Sequence, residues 1–189
     1  MIEIEAIKAY LKKELSEKRY NHSLGVASEA MSLAERYNAD KEKAYIAGLV
    51  HDCAKEIENS KAKALLKEKY GVKIDDVAMR THKILHGPLG ECMAKDLFEI
   101  YDADILDAIR FHTTAKADMS MLTKIIYIAD YIEPNRNFDG VDELRKLSYE
   151  DIDKAIIKGI DFTIEELVEG NKLLHPDTIY ARNFLIMQG

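Results

Sequence analysis

Ala47-Gly48-Leu49-Val50-His51-Asp52-Cys53-Ala54-Lys55 runs small and apolar residues into an adjacent His-Asp pair, with a Lys following three residues after the Asp. Burying an ionised carboxylate among apolar side chains is costly unless an opposite charge compensates it. Imidazole and carboxylate together suit a divalent ion such as Zn, Fe or Mn. A buried His-Asp hydrogen bond is the plainer alternative. Consecutive helical residues point about 100° apart, so His51 and Asp52 share one ion only near a helix end, or with the ion between their directions.

Outward from this stretch, nearly every segment carries helical spacing. Ile4, Ile7, Leu11 and Leu15 mark a first helix, which runs out near Ser16 to Arg19. A second is expected from His22 through Val26, Ala30, Leu33 and Tyr37, broken by Asn38-Ala39-Asp40. Asp40 caps a third helix, which carries His51. Ser60 is expected to cap a Lys-rich helix closed by Gly71. Gly87-Pro88 reads as the opening of another, with His86 just before it. Asp104 starts a helix through Ile109 and His112; Ser120 starts one through Ile125, Ile126 and Ile128 to Asp130, stopped by Pro134. Ser148 and Asp151 suggest a capping box ahead of Ile156 and Ile160, Gly170 ends that region, and His175-Pro176 opens the last helix. Val72-Lys73-Ile74 is too short to count as a strand. The fold class is all-α: one domain over residues 1–189 with roughly eight to ten helices.

A chain of 189 residues fills one core more readily than two. With 3 Pro and no repeat or biased tract, it offers no linker. Met1-Ile2-Glu3-Ile4-Glu5 is acidic and amphipathic, unlike a signal peptide, and no apolar run reaches membrane-spanning length. Cys53 and Cys92 stand alone, which suits a reducing cytoplasm. A net charge of −7 argues against broad nucleic-acid binding but leaves a small polyanion open. The expected setting is cytoplasmic, with no membrane or nucleic-acid partner. The sequence does not decide between a monomer and a homodimer.

His22, His51, Asp52 and Asp130 each place a polar group at or beside an otherwise apolar face. Asp130 follows Ile125-Ile126-Tyr127-Ile128-Ala129, a run that reads as core, so its carboxylate needs a partner. The order His, His-Asp, distant Asp resembles the HD-domain metal-dependent phosphohydrolases. The surrounding blocks Arg19-Tyr20-Asn21-His22-Ser23, Leu85-His86-Gly87, His112-Thr113-Thr114, Asp130-Tyr131-Ile132-Glu133-Pro134-Asn135-Arg136 and Asn171-Lys172-Leu173-Leu174-His175-Pro176 resemble the YqeK branch of that superfamily. Ala115 departs from the pattern, where a Gly is common.

The resemblance implies a symmetrical bis(5′-nucleosyl)-tetraphosphatase that cleaves diadenosine tetraphosphate to two ADP. It implies His22, His51, Asp52 and Asp130 as ligands of an iron-type ion, a metal-binding core over about residues 18–136, and C-terminal helices over 148–187 that complete the nucleotide site. Mn, Co or Zn would suit the same donors, and His86 with His112 leaves a second ion open. Arg19, Lys55, His86, His112, Thr113, Asp130, Arg136, Leu173, Leu174 and His175 match substrate-contacting positions. Such an ion would lower the pKa of bound water to about 7 and neutralise phosphate charge; Asp52 or Asp130 would orient the nucleophile, and His86 or His112 would supply a proton. Other specificities, or a nucleotide sensor that does not turn over, are the competing readings. His82 and His86 have the i, i+4 spacing of a zinc pair, but Lys83 replaces the Glu that a protease motif needs. Tyr20, Tyr127 and Tyr131 read as core aromatics ahead of adenine-stacking ones.

Overall fold

The computed structural model describes residues 3–189; Met1 and Ile2, the start of the acidic N-terminus, lie outside the described residues. Among the described residues the regular structure is wholly helical, as expected: eleven α-helices and one π-turn. α1 (Ile4–Glu14) leads into α2 (Glu17–Arg36). The cap of α2 is Ser16, whose hydroxyl accepts from the Arg19 N–H, so His22 lies within the second turn and does not open the helix. Asn38 takes φ +58° at the break. Asp40 then caps α3 (Lys41–Val50) through the N–H groups of Glu42 and Lys43.

Several boundaries differ from the sequence reading. Glu58, not Ser60, caps α4 (Asn59–Ala64), and the chain continues as a π-turn over Leu65–Lys69 before Gly71 at φ +64°. A short α5 (Asp76–Arg80) follows, capped by Asp75. α6 (His82–Phe98) begins well before Gly87 and holds Pro88 inside it. The proline removes one backbone donor, but burial of Leu85, His86 and Leu89 on both sides of it keeps the helix together. Asp102, not Asp104, caps α7 (Ala103–Phe111). α8 (Met121–Ile132) starts at Ser120 and ends ahead of Pro134, as read. α9 (Val141–Glu150) was not expected, because its apolar face is short; Ser148 lies inside it, and Asp151 alone caps α10 (Ile152–Glu169). His175 caps α11 (Pro176–Gln188).

α8 is the spine. Leu122, Ile125, Ile126, Tyr127, Ile128, Ala129 and Ile132 are all buried, and α2, α3, α7, α9 and α10 pack around them. α2 and α3 approach closely at Gly48, where an added Cβ would lie 2.8 Å from Ala27 Cα and 3.0 Å from Ala27 N. This contact brings the His22 part of α2 alongside the C-terminal end of α3. Among the described residues no helix is long and apolar enough to cross a membrane. Gly48→Ala must push two backbones apart, and overpacking of this kind costs about 1–3 kcal/mol. Its unfolding free energy from urea titration is expected to fall by that amount, with the midpoint lowered and the denaturant slope unchanged.

Candidate metal centre

His51 and Asp52 lie just past the end of α3 and not within it. There the backbone tightens into i→i+3 turns, with Cys53 N–H donating to Val50 O at 2.9 Å and Lys55 N–H to Asp52 O at 3.0 Å. The helix-end condition read from the sequence is met: both adjacent side chains face inward, 0% and 1% exposed. The His51 Nδ1 lies 2.7 Å from the Gly48 carbonyl. A carbonyl only accepts, so Nδ1 carries the proton and Nε2 presents a lone pair. His22 is set in the same way: Nδ1 donates to Glu133 Oε1 at 3.1 Å. Its Nε2 faces Asp130 Oδ1 at 3.0 Å and Asp52 Oδ2 at 3.8 Å. Among the described residues, His22 Nε2, His51 Nε2 and Asp52 Oδ1 are buried without a hydrogen-bond partner. Lone pairs facing one another repel unless a cation sits between them, so the donor set fits a divalent ion.

The ligand atoms of His22, His51 and Asp130 lie within 4.8 Å of one another, as do those of His51, Asp52 and His112. Burial by itself would raise the Asp52 carboxyl; the His51, His112 and His86 rings hold it well below the usual carboxylate range. Asp130 is held low against the same burial by His22, His51 and Arg136. Burial pushes His51 down to about 3, against the pull of Asp52, which keeps this donor neutral and ready to coordinate. For His22, burial lowers the pKa, but bonds to Asp130 and Glu133 outweigh it and the net direction is up. A proton and a metal ion therefore compete for the space between His22 and Asp130.

Around this cluster stands a shell of cations and further histidines. Arg19 Nη1 donates to Asp52 Oδ2 at 2.7 Å. Arg136 pairs with the Asp130 carboxylate and donates through Nε to the Asp130 carbonyl at 2.7 Å. Lys55 Nζ lies 3.1 Å from His86 Nε2 and 3.6 Å from Asp52 Oδ1, and burial lowers its pKa. His86 Nε2 and His112 Nε2 are 2.8 Å apart. His112 Nδ1 donates to the Ile109 carbonyl at 2.7 Å, which turns a lone pair at His112 Nε2 toward His86. Burial brings His86 down to about 4, against Asp52, so its ring stays neutral. The cluster opens into a cavity of about 490 Å³. Asp130, Lys55, His112 and Arg136 line its inner end, while Tyr131, Phe138, Phe162, Leu167 and Leu173 add apolar surface.

The HD-domain profile matches residues 19–135, a span that holds all four central donors. The chain belongs to the HD-domain family. The fold brings a divalent metal with it, and the His/Asp cluster is the place for one. Two relatives of this HD-domain chain are named "Bis(5'-nucleosyl)-tetraphosphatase, symmetrical". One, from Halalkalibacterium halodurans, is 40% identical over 94% of each chain. The other, from Bacillus subtilis, is 41% identical over 94% of this chain and 95% of its own. A solved structure described as a predicted HD superfamily hydrolase involved in NAD metabolism, from Clostridium acetobutylicum, covers the whole of both chains with 49% identity and a TM-score of 0.97. The resemblance read from the motif blocks is borne out by these relatives.

His22, His51, Asp52 and Asp130 come together, with His86 and His112 against Asp52. Thr113, Leu173 and His175 line the cavity; Leu174 does not, and Arg19 reaches Asp52 without lining it. His82 is exposed and Tyr127 is core, but Tyr131 reaches the cavity wall. Phe138 and Phe162 gave no signal in the sequence, since isolated Phe residues read as packing. Glu133 was also missed, although it is 2% exposed and pins His22. Its other oxygen accepts from Asn135 N and Nδ2 at 2.8 and 2.9 Å. Gly25 makes room for it, since an added Cβ would lie 2.5 Å from Glu133 Oε2. An outer carboxylate of this kind typically contributes about 10–100-fold to metal affinity. Glu133→Gln is expected to weaken metal binding by that factor in a competition titration against a chelating dye, and Gly25→Ala to do the same by displacing the carboxylate.

Proposed function

We propose that this chain hydrolyses diadenosine tetraphosphate symmetrically to two ADP, using a divalent metal held by His22, His51, Asp52 and Asp130. The observation that carries the reading is the set of donor atoms without a partner among the described residues, at the inner end of a cleft lined by Arg136 and Lys55, with Arg19 bonded to Asp52. The names of the relatives agree with it. The whole chain acts as one unit in this reading, with the segment 148–187 completing the nucleotide site. Iron is the ion we assign; Mn, Co and Zn suit the same nitrogen and oxygen donors. The Lys55 ammonium beside His86 and Asp52 supplies positive charge where a second ion would bind, which favours a single metal. Two free cysteines, Cys53 and Cys92, agree with a cytoplasmic enzyme.

In the reaction, water adds to a central phosphorus, the central phosphoanhydride P–O bond breaks, and its electron pair leaves with the second ADP. When bound, the metal lowers the pKa of coordinated water to about 7 and neutralises phosphate charge. Phosphoryl transfer otherwise needs positioning and charge stabilisation. Arg136 and Arg19 offer fork-shaped donors to phosphate oxygens and Lys55 a point charge. Thr113, whose Oγ1 has no partner, can donate to a phosphate oxygen. The proton that the attacking water gives up can be taken by His112 Nε2 and handed on, through the adjoining His86 ring, to the departing ADP oxygen. Tyr131, Phe138 and Phe162 offer rings to the base.

The test is incubation of metal-reconstituted protein with diadenosine tetraphosphate and resolution of the products. Two ADP are expected; ATP with AMP would overturn the symmetrical reading, and tight ADP binding without turnover would point to a nucleotide sensor. Asp130→Ala is expected to keep its helical circular dichroism while losing both bound metal and turnover. Chelation of the wild type should lower its melting temperature, and added Fe or Mn should restore it.

A further inference from the structure

Two walls of the cleft come from distant parts of the chain. One is the turn between α5 and α6, with Thr81, Lys83 and Ile84; the other is the start of α11, with His175 and Thr178. A side-chain pair joins them: His175 Nε2 lies 3.1 Å from Asp75 Oδ2. The Asp177 backbone N–H donates to His175 Nδ1 at 3.2 Å. Nδ1 is therefore the accepting nitrogen, and Nε2 carries the proton that is donated to Asp75. Asp75 uses both oxygens as well, because Oδ1 accepts from the N–H groups of Val77 and Ala78, each at 2.9 Å. The caps of α5 and α11 are thus interlocked, each cap residue also holding the other. The His175 side chain is 11% exposed, which shields its half of the bond from solvent. Among the described residues Lys83, carried on the α5–α6 wall, makes no ion pair, so its charge is free for a ligand in the cleft.

We propose that Asp75 is a positioning residue for the nucleotide site: by holding the His175 ring it clasps the start of α11 to the α5–α6 turn and fixes the width of the cleft. Both ring nitrogens of His175 are committed to the protein, so His175 meets the nucleotide with its ring face and backbone and not as a hydrogen-bond donor. This inference rests on the cleft being the nucleotide site.

Asp75→Asn and His175→Asn separate the clasp from the caps. Asn serves as well as Asp at a helix N-cap, so α5 and α11 keep their starts. The cross-cleft bond is lost in both. In Asp75→Asn the new side chain turns an amide N–H₂ toward the His175 N–H, so two donors face each other. In His175→Asn the new side chain is too short to reach Asp75. Steady-state hydrolysis of diadenosine tetraphosphate is to be measured for the wild type, each single variant and the double variant, with metal content and melting temperature recorded in parallel. Because the Asp75 side chain is half exposed, the loss of one such bond corresponds to a rise in KM of about 2–5-fold. That rise is expected in Asp75→Asn, with kcat changed less than about twofold and metal content unchanged; His175→Asn, which also gives up its ring face toward the nucleotide, rises at least as far, and the double variant is no worse than His175→Asn. A wild-type KM in Asp75→Asn, a multiplicative effect in the double variant, or a loss of kcat together with metal would each overturn the clasp. If the wild type itself yields no ADP, the functional reading falls and the clasp's role falls with it; wild-type turnover with an unmoved KM in Asp75→Asn refutes the clasp alone.

Discussion

Asp52 and Asp130 bring two negative charges into a helical core where water cannot hydrate them, and the surrounding order answers that cost. On the inner side the rings of His22 and His51 turn lone pairs toward them, a direction set by bonds from the opposite nitrogens to Glu133 and to the Gly48 carbonyl. On the outer side Arg19 and Arg136 grip the same carboxylate oxygens, Asp52 Oδ2 and Asp130 Oδ1. Stripping one partner from such a set leaves a buried charge uncompensated, which is far more costly than never having buried it. Arg136 thus has two duties, since it neutralises a carboxylate and also lines the cleft where an anionic ligand would sit.

Small residues make this arrangement sterically possible. Gly48 lets α3 settle onto the backbone of α2, which places the end of α3 beside His22. Gly25 leaves the volume that the Glu133 carboxylate fills behind His22. α8 then supplies Asp130 from a helix whose other residues are almost entirely core, so the carboxylate is held by packing on every side except the cleft. Two helices and the buried turn that closes α3 bear the donors, which accounts for a site set before any ligand arrives.

Much of this was legible in the chain. The all-helical class followed from apolar spacing; the four positions stood out as polar groups beside faces that read as core, Asp130 above all, and the family resemblance grouped them as a ligand set. Boundaries were harder. Glu58 and Asp102 took caps that Ser60 and Asp104 could equally have filled, because cap choice depends on which side chain can turn back to the backbone once the neighbouring helices are in place. α9 was hidden by its polar face, and Pro88 misled because tertiary packing can hold a helix through a proline. Within the site, Glu133 reads in sequence as one more acidic residue ahead of a proline. Its role exists only through its distance from His22, and no local pattern encodes that.

The donors are spread from His22 to Asp130, across α2, the turn after α3, and α8. A nascent chain emerging from the ribosome therefore cannot assemble the full set until more than half of it has been made, and closing so long a loop is entropically slow. Any ion that binds only the finished arrangement draws the equilibrium toward it by mass action. The cation would then act as a late lock on maturation, favouring complete chains over truncated ones during synthesis and quality control.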